Sequence, residues 1–287
     1  MIILTGIADE AGRDIDTQIA AHRELGWEAI ELRLVDGKNV CGDLSDEDFA
    51  RAADRIEEAG LRVTGFASAI GNWSRRIDED FQRDLDELRC AIPRMQRLGA
   101  RFIRTMSWVG EGVAEGEWRD EALRRYRELV ELAADGGIFL AHENCTGWGG
   151  LSGRHMRELI ETIDSPHLVV LFDVGNTISH GYEPWPFYRE IKDLIRYVHV
   201  KDCRVNPEGG RSALYTYPGE GDACVREILA DLLGDGYEGV VSIEPHVASI
   251  VHLGESQASP EEVYGSYLRY ARQTGDLLDG ITGGTPT

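Results

Sequence analysis

Hydrophobic positions along the chain alternate between two periods, a short near-continuous apolar run and a longer stretch with apolar residues every three or four positions. The short runs predict β-strands at Ile2–Ala8, Ala29–Leu34, Arg62–Ala67, Phe102–Met106, Ile138–Glu143, Leu168–Asp173, Tyr197–Lys201 and Gly239–Glu244. The longer stretches predict amphipathic helices at about Asp14–Leu25, Ser45–Ala59, Asp78–Leu98, Glu117–Ala134, Ser152–Thr162, Pro186–Asp193, Ala223–Leu233 and Pro260–Thr274.

Start and stop signals agree with these bounds. Ser45-Asp46-Glu47-Asp48 puts a capping hydroxyl before acids in a first turn, and Gly60, Gly99 and Gly136-Gly137 stand where helices should end. Strict strand–helix alternation argues for parallel strands with crossover helices, and eight units fit a closed (β/α)8 TIM barrel, a single α/β domain, better than an open sheet. No Gly-x-Gly-x-x-Gly follows the first strand, which counts against a dinucleotide-binding fold. The barrel is assigned to residues 1–279, and the Gly/Thr-rich segment Gly280–Thr287 is expected to be a flexible tail.

Composition narrows the partners. Apolar runs such as Ile2–Ile7 and His167–Phe172 fall far short of the roughly 18–20 residues that span a bilayer. The first residues show no basic region or small-residue cleavage site, so a cytoplasmic protein is the expectation. The net charge is −21, from 51 acidic and 30 basic residues, which would repel a phosphate backbone. A small-molecule substrate, neither nucleic acid nor membrane, is expected. Five widely spaced cysteines without a Cys-x-x-Cys pair read as reduced thiols. Only three of the 30 basic residues are lysines, so the position of each is informative.

Active sites of such barrels gather at the C-terminal strand ends. Strands five to eight end with Glu143, Asp173, His199 and Glu244, so three carboxylates and an imidazole converge at the barrel mouth. An oxygen-rich set with one nitrogen suits one divalent ion, Mn²⁺ or Mg²⁺ first, with Co²⁺ or Zn²⁺ able to substitute.

Several segments bear on kinship: Ala8-Asp9-Glu10, Leu25-Gly26-Trp27-Glu28-Ala29-Ile30-Glu31-Leu32-Arg33, His142-Glu143-Asn144, Asp173-Val174-Gly175-Asn176, Val198-His199-Val200-Lys201-Asp202, Gly219-Glu220-Gly221-Asp222 and Ile243-Glu244-Pro245. In this order the chain resembles the xylose isomerase-like barrel superfamily, in particular the sugar phosphate isomerase/epimerase family with its ketose 3-epimerase and hydroxypyruvate isomerase branch. The resemblance implies that Glu143, Asp173, His199 and Glu244 hold the metal and that Glu143 and Glu244 also move protons. It implies a small sugar or keto-polyol substrate that passes through an enediolate. Epimerisation, isomerisation and loss of a β-hydroxyl by a dehydratase or lyase all remain open, as does a sugar-binding barrel without catalysis. In the ketose epimerases a His is expected where this chain has Asn176, with His180 further along, and an Arg is expected near Arg204. Asn176, the absence of extra His ligands and the net charge count against the DNA-repair endonucleases of the same fold.

Substrate contacts are expected from residues on or near these strand ends. Lys201 shares a strand face with His199, and His246 has the same relation to Glu244. Asn176 and Arg204 follow two of the ligands, and Glu31 and Arg33 end the second strand. Trp73, Trp108 and Trp148 lie in loops on the same face, Trp108 and Trp148 being taken as the sugar-facing wall. His142 should point away from the pocket, and Asp222 is placed to cap a helix. A homo-oligomer is compatible with the sequence, although no interface can be read from it.

Overall fold

A computed structural model describes residues 2–207, 213–248 and 258–283. Eight strands form one parallel sheet: β1 Ile3–Gly6, β2 Ala29–Leu32, β3 Arg62–Ala67, β4 Phe102–Ser107, β5 Phe139–Gly147, β6 Leu168–Asp173, β7 Ile195–Val200 and β8 Val240–Ile243. The ladder runs β1–β8–β7–β6–β5–β4–β3–β2, and a parallel bridge between Ile7 and Glu31 brings the chain after β1 onto β2. The result is a (β/α)8 barrel.

Eight helices alternate with the strands: α1 Ile15–Glu24, α2 Asp46–Ala59, α3 Gln82–Leu98, α4 Glu115–Gly136, α5 Gly153–Ile163, α6 Pro184–Ile191, α7 Val225–Gly234 and α8 Pro260–Thr282. Their ends follow local chemistry. Ser45 Oγ accepts the Asp48 N–H at the start of α2, and Gly60 closes that helix at φ 69°, a left-handed conformation that favours glycine. Before α8, Ser259 and Glu262 form a reciprocal capping box. This last helix continues past Thr274 because Leu277 and Leu278 extend its buried face. Gly280–Thr282, read from the sequence as tail, are therefore helical, and 284–287 lie outside the described residues. Asp222 does not cap α7: Cys224 holds the cap position, and Asp222 Oδ2 instead accepts the Val205 N–H. No helix among the described residues is long and apolar enough to cross a membrane.

The strands are buried on both faces. Outward residues pack beneath the helices, while Ala141, Leu171, Tyr197 and Val240, with Ile3, Phe102 and Val169 against them, form a separate apolar floor. Burying one Leu- or Phe-sized side chain contributes about 1.5–3 kcal/mol, so this floor also supports the residues above it.

Candidate metal centre

Side-chain alternation carries the floor upward into charge. Two residues beyond Ala141, Leu171 and Tyr197 stand Glu143, Asp173 and His199, and Glu244 follows Val240 and Ser242 just past β8. All four are buried, and one ligand atom from each lies within 4.8 Å of the others. Asn144 fixes the height of β6, donating from Nδ2 to the Asp173 carbonyl at 2.8 Å and accepting the Asp173 N–H at 2.6 Å.

Glu143 Oε2, Asp173 Oδ2 and Glu244 Oε2 are buried without a hydrogen bond. Nearby Lys201 and Arg104 offset part of the charge of these desolvated oxygens without hydrogen-bonding to them, and with one imidazole nitrogen the three oxygens match the donor set of a hard divalent ion. His199 is oriented for the same task. Its Nε2 lies 3.1 Å from Glu31 Oε1, and Glu31 also accepts from Tyr197 Oη at 2.8 Å and Ser242 Oγ at 2.5 Å. Nδ1 is thereby turned to the centre, 3.3 Å from Glu143 Oε1 and 3.6 Å from Glu244 Oε2.

Burial pushes the Asp173 carboxyl up to about 6, against the pull of Lys201. Burial opposes ionisation of Glu244 too, but Lys201 and His246 outweigh it and hold that carboxyl well below its usual range. Burial likewise disfavours the charged form of His199, yet Glu31 first, then Glu143 and Glu244, raise it well above an ordinary histidine.

Three cations surround the carboxylates. Lys201 Nζ lies 2.7 Å from both Asp173 Oδ2 and Glu244 Oε2, at neither a hydrogen-bonding angle, and donates to Asn176 Oδ1 at 3.2 Å. Arg104, from β4, lies 3.6 Å from Glu143 Oε2 and 3.9 Å from Glu244 Oε1. Arg33 grips Asp9 through Nε and Nη2, reaches Glu10 at 3.2 Å, and donates to Glu244 Oε1 at 2.9 Å. Glu10, Glu244 and His246 form a second acid and imidazole cluster, but Arg33 already supplies its positive charge.

A pocket of about 260 Å³ opens above the centre. Of the residues expected at substrate, Lys201, Asn176 and His246 line it. His246 is held at φ 54°, with its N–H donating to Glu10 Oε2 at 2.8 Å. The other residues expected at substrate lie elsewhere. Glu31 sits beneath His199 as its orienting partner, and Arg33 is locked into the Asp9–Glu10–Glu244 network. Arg204 is exposed and turned to the Glu220 carbonyl at 2.7 Å. Trp108 and Trp148 are buried away from the pocket wall. Trp108 packs on Phe81 and Tyr126 and donates to Asp84, while Trp148 packs on His155. Trp73 is the indole that lines the pocket. His142 faces the helices beside Tyr126, and burial drops it to about 3.

Arg104 and Tyr215 also line the pocket but do not stand out in the sequence. A charged residue inside the apolar run Phe102–Met106 was the available signal for Arg104. Tyr215, on the hairpin of Asp202–Arg204 with Leu214–Thr216, packs edge-on to His246 and had no such signal. His180 closes the pocket on another side, because the short helix Asn176–Ser179 folds back toward Cys145.

Comparison with known proteins agrees with this architecture. Over 123 residues the chain is 32% identical to an uncharacterized protein, MJ1311, of Methanocaldococcus jannaschii, covering 41% of this chain and 40% of that one. Over 144 residues it is 28% identical to an inosose dehydratase of Clostridium botulinum, covering 45% of this chain and 47% of the relative. The chain thus matches a little under half the length of these curated relatives. In fold it is similar to the crystal structure of IolI with a bound zinc atom, with a TM-score of 0.76, 16% identity, and coverage of 97% of this chain and 99% of that one. Residues 19–274 match the family described as the xylose isomerase-like TIM barrel, and the chain belongs to that family.

Proposed function

We propose that the protein is a metal-dependent isomerase or epimerase of a small polyhydroxy ketone or aldehyde. The observation that carries this reading is the set of three buried carboxylate oxygens without hydrogen bonds, facing one imidazole nitrogen. A divalent ion held by Glu143, Asp173, His199 and Glu244 would polarise a carbonyl and stabilise an enediolate. Mn²⁺ or Mg²⁺ suits the oxygen-rich donor set best, and Co²⁺ or Zn²⁺ can occupy such a set.

The chain's own residues then divide the work. Glu143 and Glu244 take and return the proton, and their charge is maintained by neighbouring cations rather than by water. Lys201 and Arg104 present donors to substrate oxygens, and Asn176 steadies the ammonium. Return of the proton to the other face of the same carbon gives an epimer; return to the neighbouring carbon gives the aldose–ketose isomer. A second reading, loss of water from a keto-sugar or inosose at the same centre, is favoured by the similarity to inosose dehydratases.

Solvent deuterium incorporation, followed by NMR on metal-loaded protein with a panel of ketoses, hydroxypyruvate and keto-inositols, tests both. Exchange into recovered substrate or its isomer supports the first reading, and appearance of an unsaturated ketone supports the second. Glu143→Gln and Glu244→Gln should each abolish exchange while metal content by elemental analysis stays substantial. Undiminished exchange in either variant would remove that residue from the acid/base role, and no exchange into any compound would leave a binding function.

A further inference from the structure

The wall that closes the metal pocket at His180 has a second face. Ser179 and His180 also line an adjoining groove of about 400 Å³, whose other walls include Ile178, Tyr182, Glu183, Pro184 and Val205. The two spaces differ in chemistry. The metal pocket is lined by Arg104, Lys201, Glu143 and Glu244, whereas among the described residues the groove is lined by no Lys or Arg, and Glu183 is its carboxylate. Its remaining surface is largely aliphatic or aromatic.

The groove is fixed to the metal centre rather than draped beside it. The segment forming one wall begins at Asp173, whose Oδ1 accepts the Asn176 N–H at 2.9 Å, and Thr177 Oγ1 donates to the Val174 carbonyl at 2.7 Å. The Tyr182 N–H then returns to the Thr177 carbonyl at 2.7 Å. His180 Nδ1 lies 2.9 Å from the Asn176 carbonyl, which can only accept, so Nδ1 carries the proton and Nε2 is turned toward Cys145. Across the groove, Cys203 ties the hairpin wall to this segment through the Gly175 carbonyl at 3.4 Å.

Two further observations point to an occupant. The large hydrophobic side chains most exposed among the described residues are Val205, at 62%, and Leu214, at 51%, on neighbouring positions of one hairpin, and Val205 lines the groove. Apolar side chains at a cavity rim are available for a ligand to cover. The metal pocket alone falls below the roughly 300–1,000 Å³ usual for ligand sites, and with the groove it falls inside that range.

We propose that the groove is a second subsite for the substrate, taking a neutral ring with an apolar face joined through oxygen to the polyhydroxy carbonyl unit in the metal pocket. The preferred substrate is then a glycoside that keeps a ketone at another ring carbon, with an aryl aglycone or a second sugar ring, rather than a free or phosphorylated monosaccharide. This rests on the sugar reading above but is tested without turnover.

The test is isothermal titration of metal-loaded protein with the 3-keto forms of phenyl β-D-glucopyranoside and methyl β-D-glucopyranoside, and with glucose 6-phosphate. The phenyl glucoside should bind about tenfold more tightly than the methyl glucoside, and the phosphate should give no gain over it. Val205→Asp, at an exposed position that leaves the core intact, should erase the phenyl advantage without changing methyl glucoside affinity or metal content. Equal affinities, a preference for the phosphate, absence of binding by either glucoside, or an advantage that survives Val205→Asp would each overturn the proposal. So would a wild-type dimer in sedimentation that Val205→Asp converts to monomer, since the groove would then seat a second copy of the chain. Deuterium exchange reads the enolisation chemistry separately, so the two can fail independently.

Discussion

On one side of Glu244, Arg33 spreads a planar guanidinium across Asp9, Glu10 and Glu244; on the other, Lys201 brings a single ammonium to Glu244 and Asp173. Both cations are buried and both face carboxylates, but their geometry differs. Arg33 donates along defined directions to three partners, whereas Lys201 sits close to two oxygens off their hydrogen-bonding directions. A rigid fork with its donors satisfied is a permanent counter-ion, and a point charge on a flexible stem can yield to a stronger cation. Glu244 therefore joins a fixed scaffold to a working centre through its two oxygens.

The largest expected effect comes from breaking the fixed side. Arg33→Met should destabilise the fold by about 3–5 kcal/mol, because three buried carboxylates lose their cation. Thermal unfolding should fall by roughly 10 °C, with added Mn²⁺ giving little recovery. A variant as stable as wild type would show that the two sides are interchangeable. Next in size is Glu31→Gln, which leaves His199 in place but weakens the acceptor behind it. Metal affinity, measured by chelator competition, should drop by about 10- to 100-fold; an unchanged value would make Glu31 a packing residue.

On the working side, Lys201→Met removes a charge that competes for Asp173 and Glu244. Metal affinity should rise by about tenfold even as substrate KM increases, an opposite pair of shifts that simple loss of structure would not give. Weaker metal binding would mean that the ammonium supports the metal instead of competing with it.

At neutral pH the smallest effect concerns a buried base outside the metal centre. Burial drops the His22 ring to about 4, so the folded protein holds it neutral while the unfolded chain takes up a proton near 6.5. Its folded pKa being depressed, the neutral ring contributes stability above about pH 6.5 that is lost as pH falls toward 4. The slope is at most about 1.4 kcal/mol per pH unit. His22→Gln should flatten the fall of the urea midpoint over that window; identical slopes would place the acid sensitivity in the carboxylate clusters.

Much of this organisation is legible in the chain. Barrel strands are buried on both faces, so β3 and β6 keep the bounds read from the apolar runs, and the candidate metal-holding residues Glu143, Asp173, His199 and Glu244 lie within or just past four consecutive strands. Side-chain direction outside the strands is where the reading fails. Trp108 and Trp148 occupy loops on the predicted face, yet Trp108, at φ 59°, turns its indole into the shell of Phe81 and Tyr126. Arg204, three residues past Lys201, falls on a separate hairpin strand whose outer side leads it to the Glu220 carbonyl. Arg104 was missed for the opposite reason: one charge in an apolar strand carries no partner in its spacing.

The sequence by itself determined the order of the elements, their ends and the acid or imidazole at each strand terminus, because burial, pleat and capping act over a few neighbouring residues. Tertiary closure decided which cation serves which carboxylate. Arg33, Arg104 and Lys201 arrive from three separate strands and meet around Glu244 within 4 Å, a distance at which charge pairing is strong and which no spacing along the chain encodes.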